Sequence, residues 1–157
     1  MKTKIAKSIG VTTTIAAALF AASSFAQAIK VAQVVELSGG GTAAGTQYRN
    51  GAKLAIAEIN AAGGIMGRKI EVLEMDTQSQ PAIAKAMTVK AIDEKVTAIF
   101  GPVFSGSILV SQTESQKAAI PNFTGGEASN VTAQGNPFIF RSSFNQSMGM
   151  PKVAAYM

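Results

Sequence analysis

Ile29-Lys30-Val31-Ala32-Gln33-Val34-Val35-Glu36-Leu37, running directly into Ser38-Gly39-Gly40-Gly41, is the stretch on which the fold turns. β-Branched residues crowd the first part and glycines break it off, so it reads as a strand entering a tight loop. From about Ala44 to Ala62 the apolar positions Leu54, Ala55, Ile56 and Ile59 recur at helical spacing, and Gly63-Gly64 stops the helix. Lys69 to Asp76 (KIEVLEMD) alternates again and supplies a second strand.

The same alternation continues outward. Pro81 suits the first turn of a helix running to about Lys95. Val96 to Phe100 is a short buried strand cut by Gly101-Pro102, and Ser105 to Lys117 is a third helix with Ser105 or Ser107 as its cap. Ile120 to Thr124 is a fourth strand ending in Gly125-Gly126, with a short helical turn near Glu127 to Ala133. Phe138 to Arg141 is a fifth strand whose Phe138, Ile139 and Phe140 are expected in the core. Gln146 to Met157 starts a helix with no stop signal. Strands alternating with helices through short connections imply an α/β fold, a doubly wound parallel sheet with helices on both faces. Residues 29–157 form one such domain, without internal repeat or linker.

The first twenty-eight residues read as a signal peptide. Lys2, Lys4 and Lys7 give a positive start, Ile9 to Phe20 an apolar stretch, and Ala26-Gln27-Ala28 the small-x-small pattern of a cleavage site. The stretch is interrupted by Gly10 and threonines and falls short of the roughly 20 apolar residues that span a bilayer. Cleavage after Ala28 and a periplasmic location are therefore expected. The formal charge of +5 includes those lysines; 14 basic residues less 3 leave 11 against 9 acidic ones, or +2 for the remainder. No basic cluster suggests nucleic acid. With no Cys and no His, Ser-His-Asp or Cys-His catalysis and the usual zinc sites are excluded within this chain, and neither metal nor cofactor is expected.

Ligands of open parallel sheets bind beyond the carboxyl ends of the strands. Three loops qualify: Ser38 to Gly45, Gly101 to Gly106, and Thr124 to Glu127. Their glycines admit close backbone approach, and the helix starts that follow favour a carboxylate or phosphate. Gly39-x-Gly41-x-x-x-Gly45 also matches a variant dinucleotide-binding pattern, but lone glycine patterns are weakly specific. Asp76 lies farther on than the usual ribose contact, and no GK[ST] marks a nucleotide loop.

Asn50-Gly51-Ala52-Lys53-Leu54-Ala55, then Glu58-Ile59-Asn60-Ala61-Ala62-Gly63-Gly64-Ile65 and Gly67-Arg68-Lys69-Ile70, closely resemble the first helix and turn of leucine/isoleucine/valine-binding proteins of ABC importers. Asp76 to Pro81, Ala98 to Pro102 with Ser105-Gly106, Ile120-Pro121 and Phe140-Arg141 extend the resemblance over Ile29 to Met157 in family order. It implies a bilobal binder of an amino acid or similar small polar solute, of which this chain holds the amino-terminal lobe and stops before the second. An isolated first lobe is then expected to bind weakly. It further implies a monomer that delivers its solute to an ABC permease in the inner membrane, and no enzymatic activity.

By the same resemblance Ser105, beside Gly106, contacts the ligand carboxylate, and Gly126 presents a backbone group to the ligand. Glu127 stands where amino-acid binders have a small polar residue, and Ala44 where some members place an aromatic ring. Ser38 belongs to the first candidate loop. Ser79 and Phe104 stand where some members form a disulfide, so that bridge is missing. A Glu127 carboxylate repels a nearby carboxylate and suits a donor, and Ala44 leaves room, so the solute stays open among branched-chain and other amino acids, amides, urea and aromatic acids. A ligand-sensing receptor domain and an exported Rossmann-like enzyme remain as alternatives.

Overall fold

The computed structural model describes residues 27–157, so the expected signal peptide lies almost wholly outside the described residues. The strands are β1 (Ile29–Val35), β2 (Ile70–Asp76), β3 (Ala98–Phe100), β4 (Asn122–Thr124) and β5 (Ile139–Arg141). The α-helices are α1 (Thr42–Ala61), α2 (Pro81–Asp93), α3 (Ser105–Lys117) and α4 (Gln146–Tyr156), with single 3-10 turns at Gly39–Gly41 and Ser129–Val131. All five strands are parallel in the order β2-β1-β3-β4-β5. The chain moves one way from β1 to β2 and the other way from β3 onward, so the winding reverses between β1 and β3.

β-Strand alternation separates two cores. Ala32, Val34, Met75 and Ile99 point to one face, where Ala91 and Val96 and the partly buried Met87 and Ile92 close over them. α3 continues this layer, with Ile108 packed on Val131 and Ile139. The α2 and α3 sides that meet are small: Ala84, Thr88 and Ala91 are buried on one helix, Ser107, Ser111 and Ser115 on the other. Small residues at helical spacing let the two backbones approach closely.

The opposite face carries α1, whose Ile56 is buried over β1. Next to it Phe100, Phe123 and Phe140 stack across β3, β4 and β5, with ring centroids 5.5 and 5.1 Å apart. The strand register dictates this ladder, since Phe100 pairs with Phe123 and Phe123 with Phe140. Phe140 is nonetheless 45% exposed, contrary to its expected place in the core, while Ile139 on the other face is buried. α1 packs chiefly on β1 and β2 rather than at the β5 end, and the ladder's last ring stays partly open to solvent.

Two local readings also change. Neither Ser105 nor Ser107 caps α3: Phe104 precedes the helix without a side-chain cap, and the Ser107 hydroxyl is buried with no partner. The residues just before the helix are held instead by a carboxylate from the residue that follows β1, described below. Asn145 does cap α4, accepting from the amide of Ser147 at 3.0 Å.

The Thr88 hydroxyl is likewise buried without a hydrogen-bond partner in the α2–α3 seam. Replacing an unpaired buried hydroxyl by a methyl of the same shape removes a desolvation cost. Thr88→Val is expected to raise the urea midpoint, by about 1 kcal/mol of stability. A midpoint at or below that of the parent would show that the hydroxyl is satisfied in solution.

Candidate functional site

The reversal between β1 and β3 places the loops after these strands side by side, with the loop after β4 beside them. Glu36, one residue past β1, is fully buried, and its carboxylate accepts from the amides of Val103 and Phe104 at 3.0 and 3.2 Å. This ties the end of β1 to the loop that starts α3. α1 closes on the same point: a Cβ on Gly45 would lie 2.0 Å from the Glu36 carbonyl oxygen, so only glycine lets the helix come this near.

Asp76, at the end of β2, accepts from the amides of Leu37, Ser38 and Gln78 at 2.9, 3.1 and 2.8 Å and from the Ser38 hydroxyl at 2.6 Å. Burial alone would push the Asp76 carboxyl up, but the Ser38 hydroxyl and the three amides together outweigh it and hold the group below the usual carboxylate range. Ser79 donates to the Ser38 carbonyl at 2.6 Å and accepts from the Gly41 amide at 2.9 Å. The position expected to lack a disulfide thus carries a hydroxyl that stitches the same loop.

Behind β4, Tyr48 of α1 donates to the Phe123 carbonyl at 2.7 Å, and burial pushes its phenol up, so it stays a donor. Arg141 donates to the carbonyls of Gly126 and Ala128, the latter at 2.8 Å, and to the Thr132 hydroxyl at 3.1 Å. The Ser143 hydroxyl adds a bond to the Gly126 carbonyl at 3.0 Å. Gly126 itself is a close-contact position, because a Cβ there would meet Ile108 at 2.3 Å.

These supports frame an open concavity of about 410 Å³ lined by Ala44, Phe104, Ser105, Gly106, Glu127 and Gln146, among others. Three helix starts contribute to it: α1 through Ala44, α3 through Ser105 and Gly106, and α4 through Gln146. First-turn amides of a helix have no intrahelical acceptor and favour an anion; at α4, however, the amides of Gln146 and Ser147 are already met, by the Glu127 carbonyl and the Asn145 side chain, each at 3.0 Å. Ser105 accepts from the Ala128 amide at 3.2 Å, which leaves its own proton to donate to a ligand oxygen. Glu127 makes no ion pair with the cations of the described residues, whose bridges run to Glu74, Glu94 and Glu114.

Four of the six residues singled out from the sequence, Ala44, Ser105, Gly106 and Glu127, therefore line one concavity, and Gly126 lies directly behind it against Ser105. Ser38 does not line it; its hydroxyl is spent on Asp76. Sequence reasoning missed Glu36, Arg141 and Gln146 as parts of the site. Glu36 had left a trace, an acid closing an otherwise apolar strand.

The profile of the periplasmic binding protein family matches residues 28–157. The chain belongs to that family. The Leu/Ile/Val-binding protein of Escherichia coli K12 is 31% identical over 139 residues, covering 88% of this chain and 38% of its own length. The Leu/Ile/Val/Thr-binding protein of Salmonella typhimurium is 32% identical over 134 residues, covering 85% and 37%. This chain thus spans well under half the length of the curated relatives it matches.

Among solved structures, the branched-chain amino acid transporter substrate-binding protein LivJ of Streptococcus pneumoniae, in complex with isoleucine, superposes with a TM-score of 0.74 at 36% identity, covering 76% of this chain and 35% of that one. A solute-binding protein of an ABC transporter from Rhodopseudomonas palustris BisB5, in complex with 3,4-dihydroxybenzoic acid, gives 0.75 at 26% identity, covering 83% and 35%. Family and neighbours are solute-binding proteins rather than enzymes, and the parallel sheet read from the sequence is theirs.

Two measurements test the supports. Gln at position 36 keeps one acceptor oxygen but turns an NH2 group toward the second amide. Glu36→Gln is expected to lose about 1–3 kcal/mol of stability and to speed hydrogen exchange at Val103 and Phe104, with amides in α2 little changed; unchanged exchange at both positions refutes the clamp. For Asp76 the folded pKa is depressed, so its contribution is complete above the ordinary aspartate range and is lost as pH falls through the folded value. Asp76→Asn is expected to lower the thermal midpoint at pH 7, with the gap to the parent closing on acidification. A gap independent of pH would assign the effect to something other than the charge.

Proposed function

We propose that residues 29–157 are the amino-terminal lobe of an extracytoplasmic solute-binding component of an ABC importer, which captures an amino acid or similar small polar solute for a membrane permease. The observation that carries this reading is the Ser105 hydroxyl, with its proton free, beside the first-turn amides of α3 in an open concavity. Such a wall accepts a carboxylate without any catalytic group. Ser105 and Gly106 bind the solute's anionic end, Glu127 and Ala44 face the rest of it, and Gly126 sets the wall between them. Ser38 acts one step back, through the loop that leads into α1.

The names of the relatives support the solute class: proteins called Leu/Ile/Val-binding and a neighbour holding isoleucine share this lobe. Export by a signal removed after Ala28, a periplasmic site of action and a monomeric binder belong to the same proposal. Its support is the charge and apolar pattern of residues 1–28, together with a first strand that begins at Ile29.

Thermal unfolding of the full protein against the twenty amino acids, their amides and small carboxylic acids tests the reading. At least one solute is expected to raise the midpoint by about 4 °C or more at a hundredfold excess over its Kd. Ser105→Ala is expected to weaken that solute about tenfold or more, the loss of one hydrogen bond to a charged group. No shift with any solute would overturn the proposal.

A further inference from the structure

We propose that the folded lobe closes its own processing site: once β1 is seated between β2 and β3, the Ala28–Ile29 bond is out of a peptidase's reach, and signal removal has to come first. The inference rests on the reading above that a signal ends at Ala28, and adds when that signal must leave. Hydrolysis of the bond takes up one water, leaves a carboxyl on Ala28 and frees the Ile29 amine, which gains a proton. A signal peptidase supplies the catalytic groups; this chain supplies only the bond, and its fold determines whether the bond is presented.

Three observations place the bond inside the fold. First, its nitrogen belongs to the sheet. The Ile29 amide donates to the Lys69 carbonyl at 2.9 Å, where Ile29 pairs with Ile70 of β2. On the other side of β1 the Lys30 carbonyl accepts from the Thr97 amide at 2.8 Å, just before β3. β1 is an interior strand in the order β2-β1-β3, so neither of its edges is free. An enzyme that grips an extended segment does so through these same backbone groups. A segment whose groups have partners on both sides is not offered to it.

Second, the chain before the bond is tethered as well: Nε of Arg68 donates to the Gln27 carbonyl at 2.6 Å. Arg68 is not a loose arm. Its amide and carbonyl both bond to Ile65, at 3.0 and 2.8 Å, across a turn that needs glycine, since a Cβ on Gly64 would lie 2.1 Å from the Arg68 carbonyl oxygen. Third, Ala28, a small residue that the cleavage pattern requires, is half-buried and shares a polar cleft of about 210 Å³ with Lys30, Arg68, Glu94 and Thr97. Presenting residues 27–30 means giving up the bonds to Lys69, Thr97 and Arg68 together. The strand then runs at once into Val31 and Ala32, which are buried in the lobe.

Digestion of the full precursor with a controlled order of addition tests this directly. Precursor unfolded in urea is diluted into purified signal peptidase either at once or after a delay that lets it refold, so that enzyme and solvent are the same in both arms. Mass spectrometry of the products identifies the bond that is cut. The refolded precursor is expected to be cut between Ala28 and Ile29 about tenfold more slowly or less, because only molecules open at the start of β1 are substrates. A short Gly-Ser insertion between Ala28 and Ile29, which moves the cut away from β1, is expected to bring the two arms to within a few-fold. Equal rates in the two arms at the natural junction overturn the inference and leave the signal reading standing. Protection that the insertion does not relieve overturns it as well, since the barrier then lies elsewhere than in β1. No cut between Ala28 and Ile29 in either arm overturns the signal reading itself, and the inference with it.

Discussion

A carboxylate with no exposed surface joins the two strands between which the sheet reverses its winding. Glu36 belongs to the β1 side, and the amides it holds belong to the loop that opens α3. In a doubly wound sheet that reversal is where two loops part and leave a crevice, and parting loops have no ladder hydrogen bonds to fix them. Glu36 supplies the missing bonds from a side chain. Its reach sets where Phe104 ends and Ser105 begins, and hence the direction in which the first-turn amides of α3 point. Gly45 and Gly41 crowd the same carboxylate-bearing residue from the α1 side, so the starts of both helices are referenced to one group.

A second ring of bonds sits around that hub. Asp76 and Ser79 reach from the end of β2 to the loop after β1, and Tyr48, Arg141 and Ser143 hold the loop after β4. The bonds share a logic. Each loop is fixed by side chains that arise outside it, on a neighbouring strand, helix or loop. This leaves the loops' outward groups, the Ser105 proton and the Glu127 carboxylate, free of internal partners. A wall that faces solute must keep some polar groups unpaired, and tertiary anchoring permits that without loosening the loop.

How much of this was legible in the sequence follows from the range of the forces involved. The elements were legible because they depend on local pattern: α3 begins and ends at Ser105 and Lys117 as read, and α2 begins at Pro81. The gathering of Ala44, Ser105, Gly106 and Glu127 was legible because parallel topology puts every strand's carboxyl end on one edge. The start of α3 was misread because the amides just before it, of Val103 and Phe104, are held by Glu36, 67 and 68 residues away in sequence, where no local rule reaches. Phe140 was misread because β-propensity reports fit to a pleated surface, not what lies over it. Ser38 looked like a ligand group because a serine in a glycine-rich loop has the same appearance whether its hydroxyl faces a solute or, as here, Asp76.

The chemistry of the wall and the strength with which it holds a solute are separable. Two unit charges 4 Å apart attract by about 1 kcal/mol in water and by about 4 kcal/mol at the effective dielectric of a protein surface. While the concavity is open, Glu127 and the start of α3 act in the first regime, where water competes for the same groups. Covering the wall moves every one of these interactions into the second regime at once, the favourable and the unfavourable alike. Electrostatic differences along such a wall therefore count most when water is excluded.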